Sequence, residues 1–115
     1  MSVSMTQTMV DPTNAVNKRT VQSAVVEGRT LELRVGDIDG VQYAWTRLVD
    51  SQNGDIIWIN QTTDGGNTWN SFGKRTIQAG GRNYTDALRT NSSNKVKMQA
   101  WTQLTSGNKY NTAAW

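Results

Sequence analysis

Apolar and polar residues alternate along most of this chain with a period of two, the spacing of strands covered on one face by a second layer. Residues 30–35 are the cleanest instance. Leu31, Leu33 and Val35 fall on one face, Glu32 and Arg34 on the other. Residues 96–104 repeat the pattern, with Val96, Met98, Ala100 and Leu104 inward and Lys97, Gln99, Trp101 and Gln103 outward. Over 41–49, Val41, Tyr43, Trp45 and Val49 share a face opposite Ala44, Thr46 and Leu48. Ile56-Ile57-Trp58-Ile59 is apolar on both faces and predicts a central strand covered on both sides. Further strands are expected over 20–26, 75–79, 83–88 and 109–115.

Turn clusters separate these segments at intervals of about 8–12 residues, as in all-β sandwiches and barrels. Glu27-Gly28-Arg29 joins the first two strands into a hairpin. Gly36-Asp37-Ile38-Asp39-Gly40 forms the next loop, and Asn53-Gly54 is a strong hairpin signal. Gly80-Gly81, Asn91-Ser92-Ser93-Asn94 and Thr105-Ser106-Gly107-Asn108 turn the chain further on. Residues 1–18 read as a flexible N-terminal lead, with turn chemistry at Asp11-Pro12-Thr13-Asn14 and at most a short helix over 15–18. The expectation is a single all-β domain over 19–115, an antiparallel sandwich or barrel of about eight strands.

One turn carries a motif. Thr62-Thr63-Asp64-Gly65-Gly66-Asn67-Thr68-Trp69 matches Ser/Thr-x-Asp-x-Gly-x-Thr-Trp and so resembles an Asp-box hairpin. Asp64 can accept hydrogen bonds from backbone amides just ahead of it, and Gly65 and Gly66 supply the positive φ of a tight reversal. Thr68 opens a new strand, and Trp69 can fold its ring under the turn. Thr62, Asp64, Gly66, Thr68 and Trp69 are therefore structural candidates. A propeller would need several such blades, and the chain has one copy with no internal repeat.

Composition narrows the chemistry. The chain has 115 residues, enough for one domain with its own core, and neither cysteine nor histidine. Disulfides and thiolate metal sites are excluded, and the commonest general base and metal ligand is missing. Asp37-x-Asp39-Gly40 hints at calcium, but an EF-hand loop starting there would place Val41 and Leu48 at ligand positions. Most aspartates sit in turns, where they serve the backbone, and no phosphate loop is present. Microbial ribonucleases are one home of the Asp-box, and their chemistry leans on histidine. No positioned acid, base and nucleophile can be assembled, so no enzyme, no cofactor and no metal is expected.

Net charge is +3, with basic residues scattered rather than clustered on one face, which does not favour nucleic acid as partner. Residues 1–8 lack a basic region followed by an apolar one, so no signal peptide is expected, and no apolar run is long enough to span a membrane. The location is then cytoplasmic, or secreted after removal of a signal. Asn60, Asn83 and Asn91 stand in glycosylation acceptor patterns, relevant only in a eukaryotic secretory route.

Binding is the remaining class. Five tryptophans are many for this length. Core packing is the favoured role of Trp45, Trp58 and Trp69. Trp101 differs, because it shares its face with Lys97, Gln99 and Gln103. A flat indole flanked by amides and a cation suits a sugar ring, and also a nucleobase. Loops rich in Asn, Gln, Thr, Gly and Tyr add adaptable hydrogen bonding, with Asn83, Tyr84 and Tyr110 as candidate contacts.

From about residue 20 the chain resembles an uncharacterised group of small secreted β-proteins common in actinobacteria. The blocks that carry the likeness are Gly28-Arg29-Thr30-Leu31-Glu32-Leu33-Arg34, Ala44-Trp45-Thr46-Arg47, Gly54-Asp55-Ile56-Ile57-Trp58-Ile59 and Asp64-Gly65-Gly66-Asn67-Thr68-Trp69. Members usually carry one cysteine where this chain has Tyr43 and a second near Trp101. The resemblance thus implies a Tyr43–Trp101 contact in place of a disulfide. Trp101-Thr102-Gln103-Leu104-Thr105-Ser106-Gly107 is also similar to the late strands of avidin-type barrels, whose first-strand residues are absent here.

The expected function is non-catalytic, lectin-like carbohydrate binding to a glycan or glycoprotein surface, with homo-oligomerisation left open. The first alternative is a structural, interaction or toxin-like β domain without a small-molecule site. The second is single-stranded nucleic-acid binding.

Overall fold

The computed structural model describes residues 8–115. Eight strands form two antiparallel sheets packed as a sandwich: β1 (Val16–Val26), β2 (Arg29–Ile38), β3 (Val41–Val49), β4 (Ile56–Thr62), β5 (Asn70–Thr76), β6 (Leu88–Arg89), β7 (Lys97–Gln103) and β8 (Lys109–Asn111). The first sheet runs β1-β2-β3-β6 and the second β5-β4-β7-β8. The expected all-β class and strand number hold, and the sheets do not close into a barrel.

The alternation sets the core. Leu31, Leu33, Val35, Ala44 and Leu48 from the first sheet meet Ile57, Ile59, Met98 and Ala100 from the second, all essentially without solvent contact. Two buried threonines are satisfied by backbone. Thr46 donates across the sandwich to the Trp58 carbonyl at 2.8 Å, and Thr102 donates to the Ile56 carbonyl at 2.8 Å. Each thus avoids the cost of an unpaired buried hydroxyl.

The β1–β2 hairpin turns at Glu27 (φ 50°) and Gly28 (φ 81°). Strand β2 runs past the expected stop at Val35, so that only Asp39 and Gly40 turn the chain into β3. Gly36 lies inside the strand because a larger residue does not fit. A Cβ there would come within 3.0 Å of the Trp45 ring and 3.1 Å of the Val16 carbonyl oxygen.

Four sequence expectations are corrected. Asn53-Gly54 does not close a hairpin, because β3 and β4 belong to different sheets. The turn carries the chain from one sheet to the other, with Gly54 N–H donating to the Ile77 carbonyl at 2.8 Å. Strand β4 is not covered on both sides: Ile57 and Ile59 are buried, while Ile56 and Trp58 are half-exposed. The strands expected over 75–79 and 83–88 reduce to the end of β5 and the short β6; between them Tyr84 bridges Arg47, with Leu48 N–H donating to the Asn83 carbonyl and Thr85 N–H to the Thr46 carbonyl, both at 2.9 Å. Strand β1 begins at Val16, four residues earlier than expected, and no helix forms over 15–18. The part of the expected lead in residues 1–7 lies outside the described residues. Beyond it, Val10 pairs with Ala87, and Pro12 and Ala15 are buried.

The sheet switch rests on a buried ion pair. Arg29 Nε and Nη2 donate to Asp55 Oδ2 and Oδ1 at 2.9 and 3.0 Å. Asp55 also accepts the amides of Gln52 (2.8 Å) and Thr105 (3.0 Å). Burial pushes the Asp55 carboxyl up, but the Arg29 hydrogen bonds and then these amides outweigh it and leave it below its ordinary pKa. Replacing Asp55 by alanine strands a buried guanidinium, so Asp55→Ala is expected to cost about 3–5 kcal/mol in urea unfolding. An Arg29→Met/Asp55→Leu double variant should recover part of that loss.

Candidate ligand-binding site

The outer face of the second sheet is built by the register of β4 against β7. Trp58 stands opposite Trp101, Asn60 opposite Gln99, Ile56 opposite Gln103 and Thr62 opposite Lys97. Beyond β7, Asn111 pairs with Trp101 and Lys109 with Gln103. These pairs all point away from the core, because Ile57, Ile59, Met98 and Ala100 point into it.

At the centre, the Trp58 and Trp101 rings stack with centroids 5.8 Å apart and planes 17° from parallel. Both rings are half-exposed and lie outside the core cluster. Trp101 Nε1–H donates to Gln99 Oε1 at 3.0 Å, so the indole's one polar atom is satisfied and its orientation held. Beside the pair lies a hollow of about 410 Å³, lined by Trp58, Ser71, Phe72, Lys74, Gln103 and Lys109 among others. Ser71 donates to Asn60 Oδ1 at 2.7 Å at its margin. Among the described residues the ion pairs use only arginines, so Lys74, Lys97 and Lys109 carry no carboxylate partner.

Lys97, Gln99, Trp101 and Gln103 therefore share one face, as the alternation predicts. The other expected contacts lie elsewhere. Tyr110 pairs with Thr102, turns toward the core and donates to Glu27 at 2.7 Å, which raises its phenol pKa. Its neighbours Lys109 and Asn111 take the tryptophan face instead. Asn83 and Tyr84 belong to the first sheet's side, where Asn83 donates to the Leu48 carbonyl and Tyr84 bonds Thr13 and lies under Arg82. Trp101 meets Trp58 and not Tyr43, which faces outward from the opposite sheet.

Like Trp69, which also lies outside the core cluster, Trp58 is a residue that sequence reasoning misplaced. Its apolar neighbours hide it in a run that looks buried on both sides. The usable signal was its even spacing from Ile56 and Asn60, which assigns it to the polar face. Trp45 is buried as expected, but on the first sheet's outer face, under residues 12–15.

The turn over 62–69 sits at the Lys97 end of this face. Asp64 Oδ1 accepts from Thr62 Oγ1 (2.8 Å) and Thr68 N (2.9 Å), and Oδ2 accepts from Thr68 Oγ1 (2.6 Å). Thr62 Oγ1 in turn accepts from Gly66 N at 2.9 Å, and Gly65 and Gly66 have φ of 73° and 101°. Trp69 is half-buried and no part of the core cluster.

The Thr68 hydroxyl and amide, then the Thr62 hydroxyl, lower the Asp64 pKa from 3.8 to about 2. A depressed folded-state pKa contributes stability above the unfolded value and loses it as pH falls through the folded one. Melting temperature should therefore fall between about pH 4 and pH 2, and Asp64→Asn should flatten that slope. Asp64→Ala should melt lower at neutral pH with ligand binding on the tryptophan face retained. Unchanged melting with lost binding would place the turn in the site.

No family model, curated protein or solved structure matches this chain, so its site is defined by geometry alone.

Proposed function

We propose that this protein is a non-catalytic carbohydrate-binding module, lectin-like in mode, that takes a glycan or glycoprotein surface on the outer face of the second sheet. The observation that supports this is the half-exposed Trp58–Trp101 pair with Asn60, Gln99, Gln103 and Asn111 on the same strand rows. A pyranose presents an apolar C–H face and a rim of hydroxyls. Indole rings offer large, rigid apolar area for the first. Side-chain amides donate and accept, which suits the second. The adjoining hollow is of the size that small-ligand sites occupy.

A second reading, stacking of single-stranded nucleic acid, is favoured by the unpaired Lys74, Lys97 and Lys109 around the same rings. Salt separates the two. Affinity for an oligonucleotide falls steeply with salt through counterion release, and affinity for a neutral sugar does not.

A glycan array followed by tryptophan-fluorescence titration tests the proposal. A salt-insensitive, saturable hit is expected, weakened at least about tenfold, or 1.4 kcal/mol, in Trp58→Ala and in Trp101→Ala. An array without hits and fluorescence unmoved by sugar would overturn it. Concentration-dependent self-association without sugar binding would favour an interaction domain.

A further inference from the structure

The outer face of the first sheet holds a second hollow, of about 360 Å³, on the other side of the sandwich from the tryptophan pair. Its floor is β2 and β3. Arg34 and Trp45 pair in register there, with Arg47 two residues along. Its walls are two passing segments of chain. One is the stretch leading into β1, with Pro12 buried, Val10 paired to Ala87 and Lys18 Nζ donating to the Thr13 carbonyl at 2.7 Å. The other carries Asn83 and Tyr84 and is tied to β3 by the Asn83 carbonyl, which accepts from Leu48 N at 2.9 Å. Asp11 meets Arg82 at 3.6 Å and Thr13 bonds Tyr84, which closes the walls on each other.

Three cations, Lys18, Arg34 and Arg47, line this hollow, with Glu32 as the neighbouring carboxylate. Glu32 is already committed, to Arg47 Nε at 2.6 Å and to Thr20 Oγ1 at 3.2 Å. Arg34 keeps a single neutral partner, Thr20 Oγ1 at 3.0 Å, and no carboxylate within ion-pair distance among the described residues. Its remaining N–H groups are not sealed off, since the one buried side-chain nitrogen left without a partner is Arg82 Nε. Partial burial, then the like charge of Arg47, push the Arg34 pKa down, and Glu32 offsets this only in part. A half-buried guanidinium facing a second one is an arrangement that an anion relieves.

We infer that this pocket binds the tetrahedral oxyanion of a small phosphate or sulfate ester, with Arg34 as the principal donor, Arg47 and Lys18 beside it, and Tyr84 against the rest of the ligand. Planar forks of N–H donors match such oxygens in pairs, which a lysine cluster cannot do. The hollow is several times larger than one oxyanion needs, which leaves room for a compact organic group. The site is separate from the glycan face and does not rest on it.

The test is a titration of the whole protein with inorganic phosphate, and separately with sulfate, followed by backbone amide NMR shifts. Phosphate or sulfate is raised to about 20 mM with ionic strength held constant by sodium chloride, since exposed charge pairs are screened by salt. Saturable shifts are expected at residues 18, 34, 45–47 and 83–84. Arg34→Gln should weaken them at least about tenfold, the scale of a lost hydrogen bond to a charged group. Lys18→Gln should weaken them less, and Lys74→Gln, on the other sheet, should leave them unchanged. Saturation by both anions or by phosphate alone supports the oxyanion site. Shifts that do not saturate, that spread to the tryptophan face, or that persist unaltered in Arg34→Gln overturn it. Should Arg34→Gln fail to fold, unaltered phosphate affinity in Lys18→Gln overturns it instead.

Discussion

The Arg29–Asp55 pair is the interaction on which the arrangement of the two sheets depends. One carboxylate takes the guanidinium at the start of β2, the Gln52 amide in the crossover and the Thr105 amide after β7. The backbone beside it closes the same end. Asp55 C=O accepts the Ile77 amide at 2.7 Å after β5. A buried ion pair often adds little net stability over an apolar pair, because both charges are desolvated. Its effect lies in the cost of alternatives. If the crossover over 50–55 closed as a hairpin within one sheet, Asp55 would leave Arg29, and the buried guanidinium would be left with neutral acceptors alone, the Glu27 carbonyl and the Thr105 hydroxyl. The strong local preference of Asn53-Gly54 for a hairpin is overruled by that non-local penalty.

The same contrast separates what was legible in the sequence from what was not. Strands β2, β3 and β7 could be read because alternation is local and each has one face in the core: Leu31, Leu33 and Val35 in β2, Met98 and Ala100 in β7. The hairpin at Glu27-Gly28 could be read because positive φ at both positions is a demand on those residues alone. The sheet switch at Asn53-Gly54 could not, since its cause lies in Arg29, 26 residues before its partner Asp55. Nor could the packing of residues 10–15 on the outside of the first sheet, which follows from Val10 meeting Ala87 and from the room that Gly36 leaves for Trp45. On the candidate site, the β7 half was legible from Trp101 and its polar neighbours. The β4 half was hidden because Trp58 sits among isoleucines, and only the pairing of β4 with β7 brings it beside Trp101.

Each sheet carries tryptophan on its outer face, and the chain treats the two faces differently. On the first sheet Trp45 is 3% exposed, because residues 12–15 lie across it and Tyr84 closes in beside it. On the second sheet Trp58 and Trp101 stay half-buried, and the turn over 62–69 lies at the Lys97 end of the row. Covering an indole removes a large apolar area from water at roughly 25 cal/mol per Å², so a pair left half-buried forgoes part of the stability that the same fold obtains elsewhere. Isolated exposed apolar residues need no explanation, but stacked aromatic rings with their polar atom satisfied and a hollow beside them do. The rigidity of the face sharpens the point. Trp101 is held by Gln99, Trp58 by the stack, and both strands by a core without solvent contact. A preorganised aromatic surface loses little side-chain entropy when something docks on it, which is the property a binding face needs and a folding device does not.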